Sequence, residues 1–499
     1  MAFSSAGILT LDLGTSSLKA ALWDLRGEIL AESTQLYELN RPQPTWAEMD
    51  AEAWWQAACR AARAVLAEAG ANCEVRAVAV DGVSWTLLPV DAALRPLYPA
   101  LIWLDRRAEA ESAALRAGPQ AKQLVQLCAN PLDPAYITPK LAWLRLAQPQ
   151  VFEQARWFLT ASGFLSARLT GEVSCDFTQA YGYHFFDMRA MRWDAGAAAA
   201  CGVPLEKLPP LVRCDQLIGR VSRLAAAETG LAEGVPVLAG CLDAAAGALG
   251  AGVTRLGQAN EQGGQAGGMA ISLAQVVVEP RLIFSHHVLP GQYLLQGGTV
   301  GGGALAWLRE LLGGDLSFEQ LGDLAQAVAP GAGGLLFLPY LAGERTPLWE
   351  TRARGVFTGL SYATSRAELA RAVLEGCALA VYHNIQVATE TGAQVSEYLG
   401  SGGATRSPAW CQIKADLYGA PFSVARRAGG GEGGHLLGLY ALAMGALGEC
   451  AGAGELVERL LPEKVTYLPD PARHARYREI FSAYLRLSHS MTENEFFSV

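Results

Sequence analysis

Near the start of the chain, an aspartate precedes a short polar turn that contains glycine. Asp12 lies at the end of an alternating apolar run at residues 8–13, and Gly14, Thr15 and Ser16 follow. Backbone N–H groups in such a turn can converge on an anion, and a neighbouring carboxylate can hold Mg²⁺ directly or through water. The pattern fits a metal-bound phosphate, and it fits an ordinary hairpin with polar turn residues equally well.

A second aspartate, Asp243, stands alone in a stretch of small and apolar residues at positions 240–250. A carboxylate in such surroundings either caps a helix or carries a chemical function. Residues 244–249 suit a first helical turn, so the capping role is a serious alternative. The two roles are compatible, because the start of a helix can face a cleft.

Three glycine-rich runs lie in the second half of the chain, at residues 263–268, 297–303 and 401–406. Each run taken singly favours a plain loop, but together they fit a nucleotide that lies against backbone. The chain contains no G-x-x-x-x-G-K-[ST] motif, and no G-x-G-x-x-G directly follows its first strand. These two absences disfavour a P-loop or a Rossmann nucleotide site.

The elements that must position these residues follow a similar order in each half of the chain. Alternating apolar residues and turns predict three strands, then a helix at residues 51–69 and a strand at 75–80. A comparable order begins at residue 258, and its turn at 264–267 can be laid over the turn at 14–17. The pattern predicts a duplicated α/β fold with a cleft between the halves.

The length of the chain also requires two domains. Its 499 residues exceed the size at which single hydrophobic cores stop growing, roughly 250–300 residues. We place the boundary just after the segment that contains Asp243. This gives an N-terminal domain at residues 1–252 and a C-terminal domain at residues 253–499.

Charge and cysteine content disfavour several classes of function. With 48 acidic and 39 basic residues, the formal net charge of −9 disfavours nucleic acids and anionic membranes as partners. Ten dispersed cysteines without a C-x-x-C pair disfavour zinc and dithiol sites and are typical of a reduced, cytoplasmic protein. No apolar run reaches 18 residues and no positively charged leader is evident, so neither a membrane helix nor a signal peptide is expected.

Several separate segments resemble the FGGY family of carbohydrate kinases, in the order of that family. Residues 355–360 and 368–375 match the defined positions of its C-terminal signature. Residues 337–347 resemble the segment typical of its xylulokinases and gluconokinases, and residues 139–144 resemble its first signature. The resemblance covers nearly the whole chain, from about residue 8 to about residue 477.

The resemblance implies a two-domain α/β fold of the actin and hexokinase type (ribonuclease H-like), with the active site in the interdomain cleft. It implies ATP and Mg²⁺ as cofactors and a small sugar as the acceptor. Asp243 is then the general base, Asp12 helps to position the Mg²⁺–phosphate group, and either can hold the metal through water. The residues implied in nucleotide binding lie in or beside the glycine turns: Gly14, Thr15, Ser16, Gly264, Gln265, Gly302, Gly402, Gly403 and Ala404.

Two segments depart from the family pattern. Residues 81–86 read Asp-Gly-Val-Ser-Trp-Thr, where many xylulokinases carry a Met-His pair, and this weighs against xylulose. Residues 264–267 read Gly-Gln-Ala-Gly in place of the usual Gly-Thr-Ser-Gly, so both hydroxyls are lost, although the Gln265 amide can still donate. The second departure leaves open a non-catalytic sugar or nucleotide sensor on the same fold.

The sugar pocket is expected to contain Ser84, Trp85, Asp105 and Arg106. Asp105 can accept from two adjacent hydroxyls, and Ser84 can donate and accept. Trp85 either contacts the substrate or fills the core behind its loop. A ketopentose such as D-xylulose is the expected substrate, with ribulose, gluconate and glycerol as alternatives, and a homodimer is left open.

Overall fold

The computed structural model describes residues 5–70, 73–264, 266–300, 302–425, 434–493 and 496–498, so that Gln265 lies outside the described residues. The chain divides into two compact units. The first contains Met1–Gly250, Phe284–Tyr293 and Gly433–Leu460, and the second contains Ala251–Ile283, Leu294–Glu432 and Leu461–Val499. The expected division at residues 252 and 253 lies beside the first crossing between the units, but it omits the two later segments that belong to the first unit.

The elements up to residue 250 begin with a strand-rich segment. The strands are β1 (Ser5–Leu13), β2 (Ser17–Asp24), β3 (Ile29–Leu36), β4 (Glu48–Met49), β5 (Cys73–Gly82), β6 (Leu88–Val90), β7 (Ala100–Leu101), β8 (Trp157–Leu159), β9 (Cys175–Asp176), β10 (Phe186–Asp187), β11 (Arg192–Trp193), β12 (Leu211–Val212), β13 (Leu217–Arg220), β14 (Pro236–Leu238) and β15 (Cys241–Leu242). The helices are α1 (Ala51–Ala69), α2 (Glu109–Ala117), α3 (Ala121–Cys128), α4 (Ile137–Ala147), α5 (Pro149–Gln154), α6 (Ala161–Thr170), α7 (Phe177–Ala180), α8 (Ala195–Ala200), α9 (Arg223–Thr229) and α10 (Asp243–Gly250), with a 3₁₀ turn at Leu205–Lys207.

The rest of the chain is richer in helix. Its strands are β16 (Gln258–Gly263), β17 (Ala266–Leu273), β18 (Ile283–His286), β19 (Tyr293–Val300), β20 (Leu336–Leu338), β21 (Val356–Thr358), β22 (Glu397–Ser401), β23 (Phe422–Ala425) and β24 (Lys464–Tyr467). Its helices are α11 (Gly302–Leu311), α12 (Phe318–Gln326), α13 (Arg366–Glu390), α14 (Pro408–Tyr418), α15 (Gly434–Ala446), α16 (Ala453–Leu460) and α17 (Pro471–Glu493), with 3₁₀ turns at Ala332–Gly334, Gly403–Arg406 and Phe496–Ser498. No helix within the described ranges combines the length and hydropathy that a bilayer span requires.

The main sheet of the first unit brings three strand ends to one edge. Its strands follow the order β13-β14-β5-β1-β2-β3, and β15 also pairs with β5. β1 runs parallel to β5 with Asp12 opposite Asp81, and β15 runs parallel to β5 with Leu242 opposite Gly82. Parallel strands end at the same edge of a sheet, which is where open α/β sheets bind ligands. Asp243, the next residue after β15, therefore joins the two other aspartates at this edge.

Helix α1 supplies much of the core of the first unit. It begins at Asp50, whose side chain accepts a hydrogen bond from the N–H of Glu52 and so caps the helix. Trp54 and Trp55 are 0 % and 2 % exposed and pack with the apolar side chains of the sheet. Both tryptophans are therefore core residues of the first unit.

Small residues allow α10 and α15 to approach each other closely within the first unit. A Cβ on Gly250 would collide with the carbonyl oxygen of Gly434, so a larger residue would force the helices apart. The crossing holds Asp243, at the start of α10, within electrostatic reach of His435, at the start of α15. Helix α15 thus adds a residue from far along the chain to the carboxylate edge.

The second unit repeats the strand arrangement of the first. Its sheet contains the order β19-β17-β16-β22-β23-β24, in which β16 is antiparallel to β17 and parallel to β22. β1 has the same relation to β2 and to β5, which confirms the predicted α/β duplication. Gln262 lies opposite Ser401 in the β16–β22 pair, so the two glycine turns that follow these strands lie at one edge.

Candidate active site

Three aspartates meet where β1, β5 and β15 end. Asp12 is 9 % exposed, and Asp81 is fully buried with its Oδ1 accepting from the Leu13 N–H at 3.2 Å. Asp243 opens α10, is partly exposed, and accepts through Oδ1 from the Ala244 N–H at 2.6 Å. The structure therefore brings together the two predicted carboxylates, Asp12 and Asp243, and adds Asp81.

His435 faces the same edge from the start of α15. Its Nδ1 lies 3.6 Å from Oδ2 of Asp12, and its side chain is 36 % exposed. The ring has room because residue 247 is glycine: a Cβ there would lie 2.5 Å from Cδ2 of the ring and 2.6 Å from Nε2. Lys19 lies opposite Asp12 in the β1–β2 pair and adds a second positive group.

Burial and mutual charge set the protonation states of the site. Burial raises the pKa of Asp243 to about 6, against the lowering effect of His435. Burial, with the charges of Asp12 and Asp243, raises the pKa of Asp81 well above its ordinary value. For Asp12, burial is outweighed by His435 and Lys19, which lower its pKa, and the carboxylates raise that of His435 to about 8 despite burial. At neutral pH this favours an ionised Asp12 and an Asp243 that can accept a proton, while Asp81 keeps its proton to a higher pH than an ordinary aspartate.

The polar turn after β1 is held by side chains from two other segments. The Tyr37 hydroxyl donates to the carbonyl of Gly14 at 2.6 Å, and Nε1 of Trp103 donates to Oγ1 of Thr15 at 3.1 Å. Ser16 is exposed at the tip of the turn. The predicted phosphate turn is therefore a well-braced hairpin with an accessible hydroxyl beside the carboxylate edge.

The structure places Asp105 in an internal ion pair. Its side chain is fully buried and accepts from the Ala47 N–H at 2.7 Å and from Nη2 of Arg107 at 2.8 Å. Arg107 also pairs with Glu48 at 2.9 Å and lies 3.7 Å over the ring of Trp46. This differs from the expected contact with sugar hydroxyls, because the carboxylate oxygens already hold the surrounding loop together.

The other expected sugar contacts lie nearby but differ in exposure. Arg106 pairs with Asp133 at 2.8 Å, and Ser84 is partly exposed. Trp85 is 2 % exposed and stacks on Tyr136 with ring centroids 4.2 Å apart. Its buried Nε1 has no hydrogen-bond partner among the described residues, and its φ of 51° is left-handed. The packing favours the core-filling role for the ring, while the unpaired N–H leaves one polar contact open.

Lys140 ties the two loops of the expected sugar pocket together. This residue of the segment at 139–144 is fully buried, and its Nζ donates to the carbonyls of Trp85 at 2.9 Å and Ile102 at 2.7 Å. Its Nζ also donates to the carbonyl of Leu101 at 3.4 Å, so the buried group has three acceptors, although burial lowers its pKa to about 7. The lysine is therefore a brace for the pocket loops.

Helix α7 braces the backbone on both sides of the carboxylate edge. Oγ1 of Thr178 accepts from the Leu242 N–H at 2.8 Å, and Nε2 of Gln179 donates to the carbonyl of Gly82 at 2.8 Å. The Thr178 hydroxyl in turn donates to Asp176, which caps α7. One short helix thus fixes the residues that adjoin two of the three aspartates.

In the second unit, the turns predicted to bind nucleotide lie against each other. A Cβ on Gly402 would lie 3.4 Å from the backbone nitrogen of Gly264, whereas one on Gly403 would meet nothing within 4 Å. Ala404 is 7 % exposed beside them. Gly302 begins a different element, α11. The structure thus brings Gly264 together with residues 402–404.

Family comparisons agree with this geometry. The N-terminal domain of the FGGY family of carbohydrate kinases matches residues 7–250, and the C-terminal domain of that family matches residues 276–443. The chain belongs to this family. It is therefore an ATP-dependent carbohydrate kinase, as the sequence motifs predicted.

This FGGY kinase is similar in sequence to two xylulose kinases, and it shares its fold with a gluconate kinase. The xylulose kinase of Escherichia coli (strain K12) is 33 % identical over 481 residues, which cover 96 % of this chain and 97 % of the relative. The crystal structure of xylulose kinase from Rhodospirillum rubrum has a TM-score of 0.90 at 31 % identity and covers 99 % of this chain and 100 % of that chain. The gluconate kinase from Lactobacillus acidophilus has a TM-score of 0.91 at 24 % identity and 98 % coverage of both chains, which shows a shared fold.

Two residues at the carboxylate edge of this FGGY kinase escaped the sequence interpretation. Asp81 appeared only as part of the loop after β5, although an acid ending a strand parallel to β1 is a usable signal. His435 follows a glycine-rich stretch and has no partner at metal-ligand spacing in the sequence. Its place depends on the return of α15 to the first unit, for which the local sequence contains no signal.

Proposed function

We propose that this kinase transfers the γ-phosphoryl group of ATP to a hydroxyl of a ketopentose such as D-xylulose, with Asp243 as the general base. The observation that carries the proposal is the setting of Asp243. It is partly exposed beside Asp12, and its pKa of about 6 leaves it ionised at neutral pH yet able to take up a proton. The ketopentose is supported by the xylulose kinases that are 33 % and 31 % identical to this chain.

The chemistry needs a base because a sugar hydroxyl is a weak nucleophile at neutral pH. The hydroxyl proton passes to the Asp243 carboxylate while its oxygen bonds to the γ-phosphorus, and the bond from that phosphorus to the bridging oxygen of ADP breaks. The Ala244 N–H holds Oδ1, so Oδ2 is the natural acceptor. General-base assistance typically contributes about 10²–10⁴-fold, or roughly 3–5 kcal/mol of barrier lowering.

Asp12 and the turn after β1 are suited to the phosphate end of the nucleotide. A divalent cation such as Mg²⁺ neutralises charge on the transferring phosphoryl group when it is bound. Carboxylate oxygens are the ligands that Mg²⁺ prefers, and His435 and Lys19 keep the Asp12 carboxylate ionised. The residues at 14–16 would contact phosphate oxygens through backbone N–H groups and hydroxyls.

The glycine turns of the second unit are suited to the adenosine. Gly402 has a φ of 78°, which favours glycine, and the open space at Gly403 lets a flat ligand lie directly on backbone. Gly264 and Ala404 border the same turn. Gln265 is assigned to the transferring phosphate only by its position in the family pattern.

The proposed sugar contacts are the polar groups of the pocket loops that can still form hydrogen bonds with a ligand. Ser84 is partly exposed, the Arg106 guanidinium is held in place by Asp133, and the buried Trp85 N–H can donate to a hydroxyl. Asp105 acts through Arg107 as a positioning residue. Hydrogen bonds to several hydroxyls suit a polyhydroxylated acyclic sugar.

The cellular setting follows from the cysteines. All ten carry free thiols in the structure, which supports a reducing compartment and therefore the cytoplasm. The proposed partners are the sugar and ATP. A homodimer is one alternative, which analytical ultracentrifugation of the purified enzyme can test.

A substrate panel tests this function. ADP release by the purified enzyme is measured with ATP, Mg²⁺ and, in turn, D-xylulose, D-ribulose, gluconate and glycerol. We expect the highest kcat/KM for D-xylulose, with at least about fivefold discrimination, because one unmatched buried polar group costs about 1–3 kcal/mol. If both ketopentoses fall below gluconate or glycerol, the ketopentose assignment is wrong. If sugars and ATP bind but no sugar gives turnover, the chain is a sensor.

A further inference from the structure

One gap at the carboxylate edge is lined by three possible metal-ligand atoms. Asp12, Asp81 and His435 each direct one possible metal-ligand atom into it, and these atoms all lie within 4.8 Å of one another. Asp81 is 0 % exposed, and its Oδ2 has no hydrogen-bond partner among the described residues. The buried Nδ1 of His435 likewise has no hydrogen-bond partner among the described residues, and it meets Oδ2 of Asp12 only at an ion-pair distance of 3.6 Å. Buried polar atoms are rarely left unpaired without a reason such as an ion.

We propose that Asp12, Asp81 and His435 form a direct binding site for a first-row transition-metal dication, one that favours Mn²⁺ over Mg²⁺ through the imidazole nitrogen. The distance from Nδ1 of His435 to Oδ2 of Asp12 is 3.6 Å, too long for a hydrogen bond. Ligand atoms that share a cation at about 2.0–2.2 Å lie roughly 3–4 Å from one another. The spacing therefore accommodates a shared cation in place of the direct ion pair.

The surrounding charges favour a dication. Besides Asp12, Asp81 and His435, the charged groups within electrostatic reach of these residues include Asp243 and Lys19. A bound dication displaces the protons of its ligands, so that His435 is neutral and the three aspartates are carboxylates. Together with the Lys19 ammonium, these groups then carry a net charge of about −2 for the dication to neutralise. A carboxylate pair that faces a gap without a cation can relieve its repulsion only by holding a proton.

The orientation of the imidazole is built into the fold. Gly247 leaves no Cβ on the face of α10 that the ring covers, so the Cδ2–Nε2 edge lies on this helix and Nδ1 points to the carboxylates. Imidazole nitrogen suits transition metals, whereas Mg²⁺ prefers an all-oxygen shell and retains its waters. A nitrogen ligand in this position therefore sets the preference between the two ions.

This inference rests on the proposed function in one respect: Asp12 is both a proposed metal ligand and a residue at the phosphate end of the nucleotide. It concerns metal bound to the enzyme alone, before ATP. Metal binding and sugar phosphorylation can therefore be measured separately, so that either can fail while the other stands.

The test titrates MnCl₂ and MgCl₂ into the purified full-length enzyme without nucleotide. The electron paramagnetic resonance signal of free Mn²⁺ reports the bound fraction, and calorimetry reports the affinity of both ions. We expect one Mn²⁺ per chain, bound at least about tenfold more tightly than Mg²⁺. Pulsed resonance of the bound Mn²⁺ should show coupling to a ¹⁴N nucleus.

Variants decide whether His435 is the nitrogen ligand. His435→Gln should weaken Mn²⁺ binding by at least about tenfold and abolish the ¹⁴N coupling. Even residues that only hydrogen-bond to a metal ligand change metal affinity by about 10–100-fold when they are mutated. Asp81→Asn should weaken Mn²⁺ binding as well. His489→Gln is the matched control, because His489 is exposed and pairs with Glu493 on α17.

Two results would overturn the proposal. The first is the absence of Mn²⁺ binding by the nucleotide-free wild type, or equal affinities for Mn²⁺ and Mg²⁺. The second is unchanged Mn²⁺ affinity and ¹⁴N coupling in His435→Gln, with a thermal unfolding midpoint that shows the variant to be folded. Kinase activity with Mg²⁺ and ATP in the same preparations tests the proposed function independently.

Discussion

Asp243 accepts its hydrogen bond in a different manner from the helix-capping aspartates of the same unit. Asp50 and Asp194 accept from N–H groups two and three residues further along the chain, the usual pattern of an N-cap. The carboxylate of Asp243 accepts from the adjacent Ala244 N–H. This geometry satisfies one oxygen and differs from that of an N-cap, which supports a chemical role for the carboxylate.

Removing the charge of Asp243 should separate catalysis from folding. We expect Asp243→Asn to lower kcat by about 10²–10⁴-fold, because the amide cannot take up the hydroxyl proton. The thermal unfolding midpoint and the affinity for ATP should stay close to wild type, since an amide oxygen can still accept from Ala244. Steady-state kinetics and calorimetry measure these quantities.

The matched control for this variant is Asp194→Asn, which makes the same change at the N-cap of α8. It should leave kcat near the wild-type value, because Asp194 only caps its helix. Near-wild-type turnover by Asp243→Asn on the preferred sugar would show that another group is the base.

At the residue scale, the sequence is informative where a polar residue stands apart from its neighbours. Asp12 and Asp243 could be predicted because each is an acid at the junction between apolar residues and a turn or helix. Asp105 looked equally suitable, but its buried pair with Arg107 could not be foreseen, since that choice depends on tertiary packing. The position of His435 also could not be predicted, because it depends on α15 packing against a sheet whose strands come much earlier in the chain.

At the scale of elements, α7 is a short helix with a large positioning role. Its Thr178 hydroxyl links the backbone before Asp243 to the buried Asp176 carboxylate. Burial raises the pKa of Asp176 to about 7, although the bonds from Thr178 and Gln179 oppose this. Losing the hydroxyl would leave the buried Leu242 N–H without its acceptor and would remove one of the hydrogen bonds to Asp176, which still accepts from the Gln179 N–H.

We expect Thr178→Val to destabilise the protein and slow the reaction. One buried unpaired group costs about 1–3 kcal/mol, so the free energy of unfolding should fall by that amount or more. kcat should fall more than the KM for ATP rises, because the strand that ends at Asp243 loses its anchor. Urea unfolding and steady-state kinetics measure the two effects.

A conservative variant separates positioning from bulk packing. Thr178→Ser keeps the hydroxyl and should recover most of kcat while it loses a methyl group. Thr170→Val, which removes a hydroxyl bonded within α6, should leave kcat unchanged. Equal kcat for the Val and Ser variants at position 178 would argue against positioning by the hydroxyl.

Element order was more predictable than element pairing. Alternating apolar residues and turns correctly located β1, β2 and α1, and the second strand set begins at residue 258 as predicted. The short strand β15 and helix α7 carry little periodic signal, because each is only two to four residues long. Their bounds follow from tertiary hydrogen bonds, which local sequence patterns do not report.

At the scale of the whole molecule, the first unit is built from three separated stretches of chain. The segment Gly433–Leu460 supplies α15 and α16, and Phe284–Tyr293 adds a third piece. The Asn130 amide donates to the carbonyl of Phe284 at 2.8 Å, and Tyr440 of α15 stacks on Trp23 at 5.1 Å. A domain division predicted from the order of motifs omits these segments. The segment with α15 follows residue 250 by some 180 residues, and its local sequence does not show which unit it packs in.

A chain that ends at Gly250 should therefore fail to fold cooperatively. Helix α15 buries Leu436, Leu437, Leu439 and Tyr440 within the first unit. Each such side chain contributes about 1.5–3 kcal/mol when buried, so their loss rivals a typical total stability of about 5–15 kcal/mol. Fragment 1–250 should show no sigmoidal thermal transition by circular dichroism and should bind a hydrophobic dye. Joining residues 433–460 to this fragment through a flexible linker should restore a cooperative transition. A cooperative thermal transition of fragment 1–250 alone would show that the first unit folds without α15.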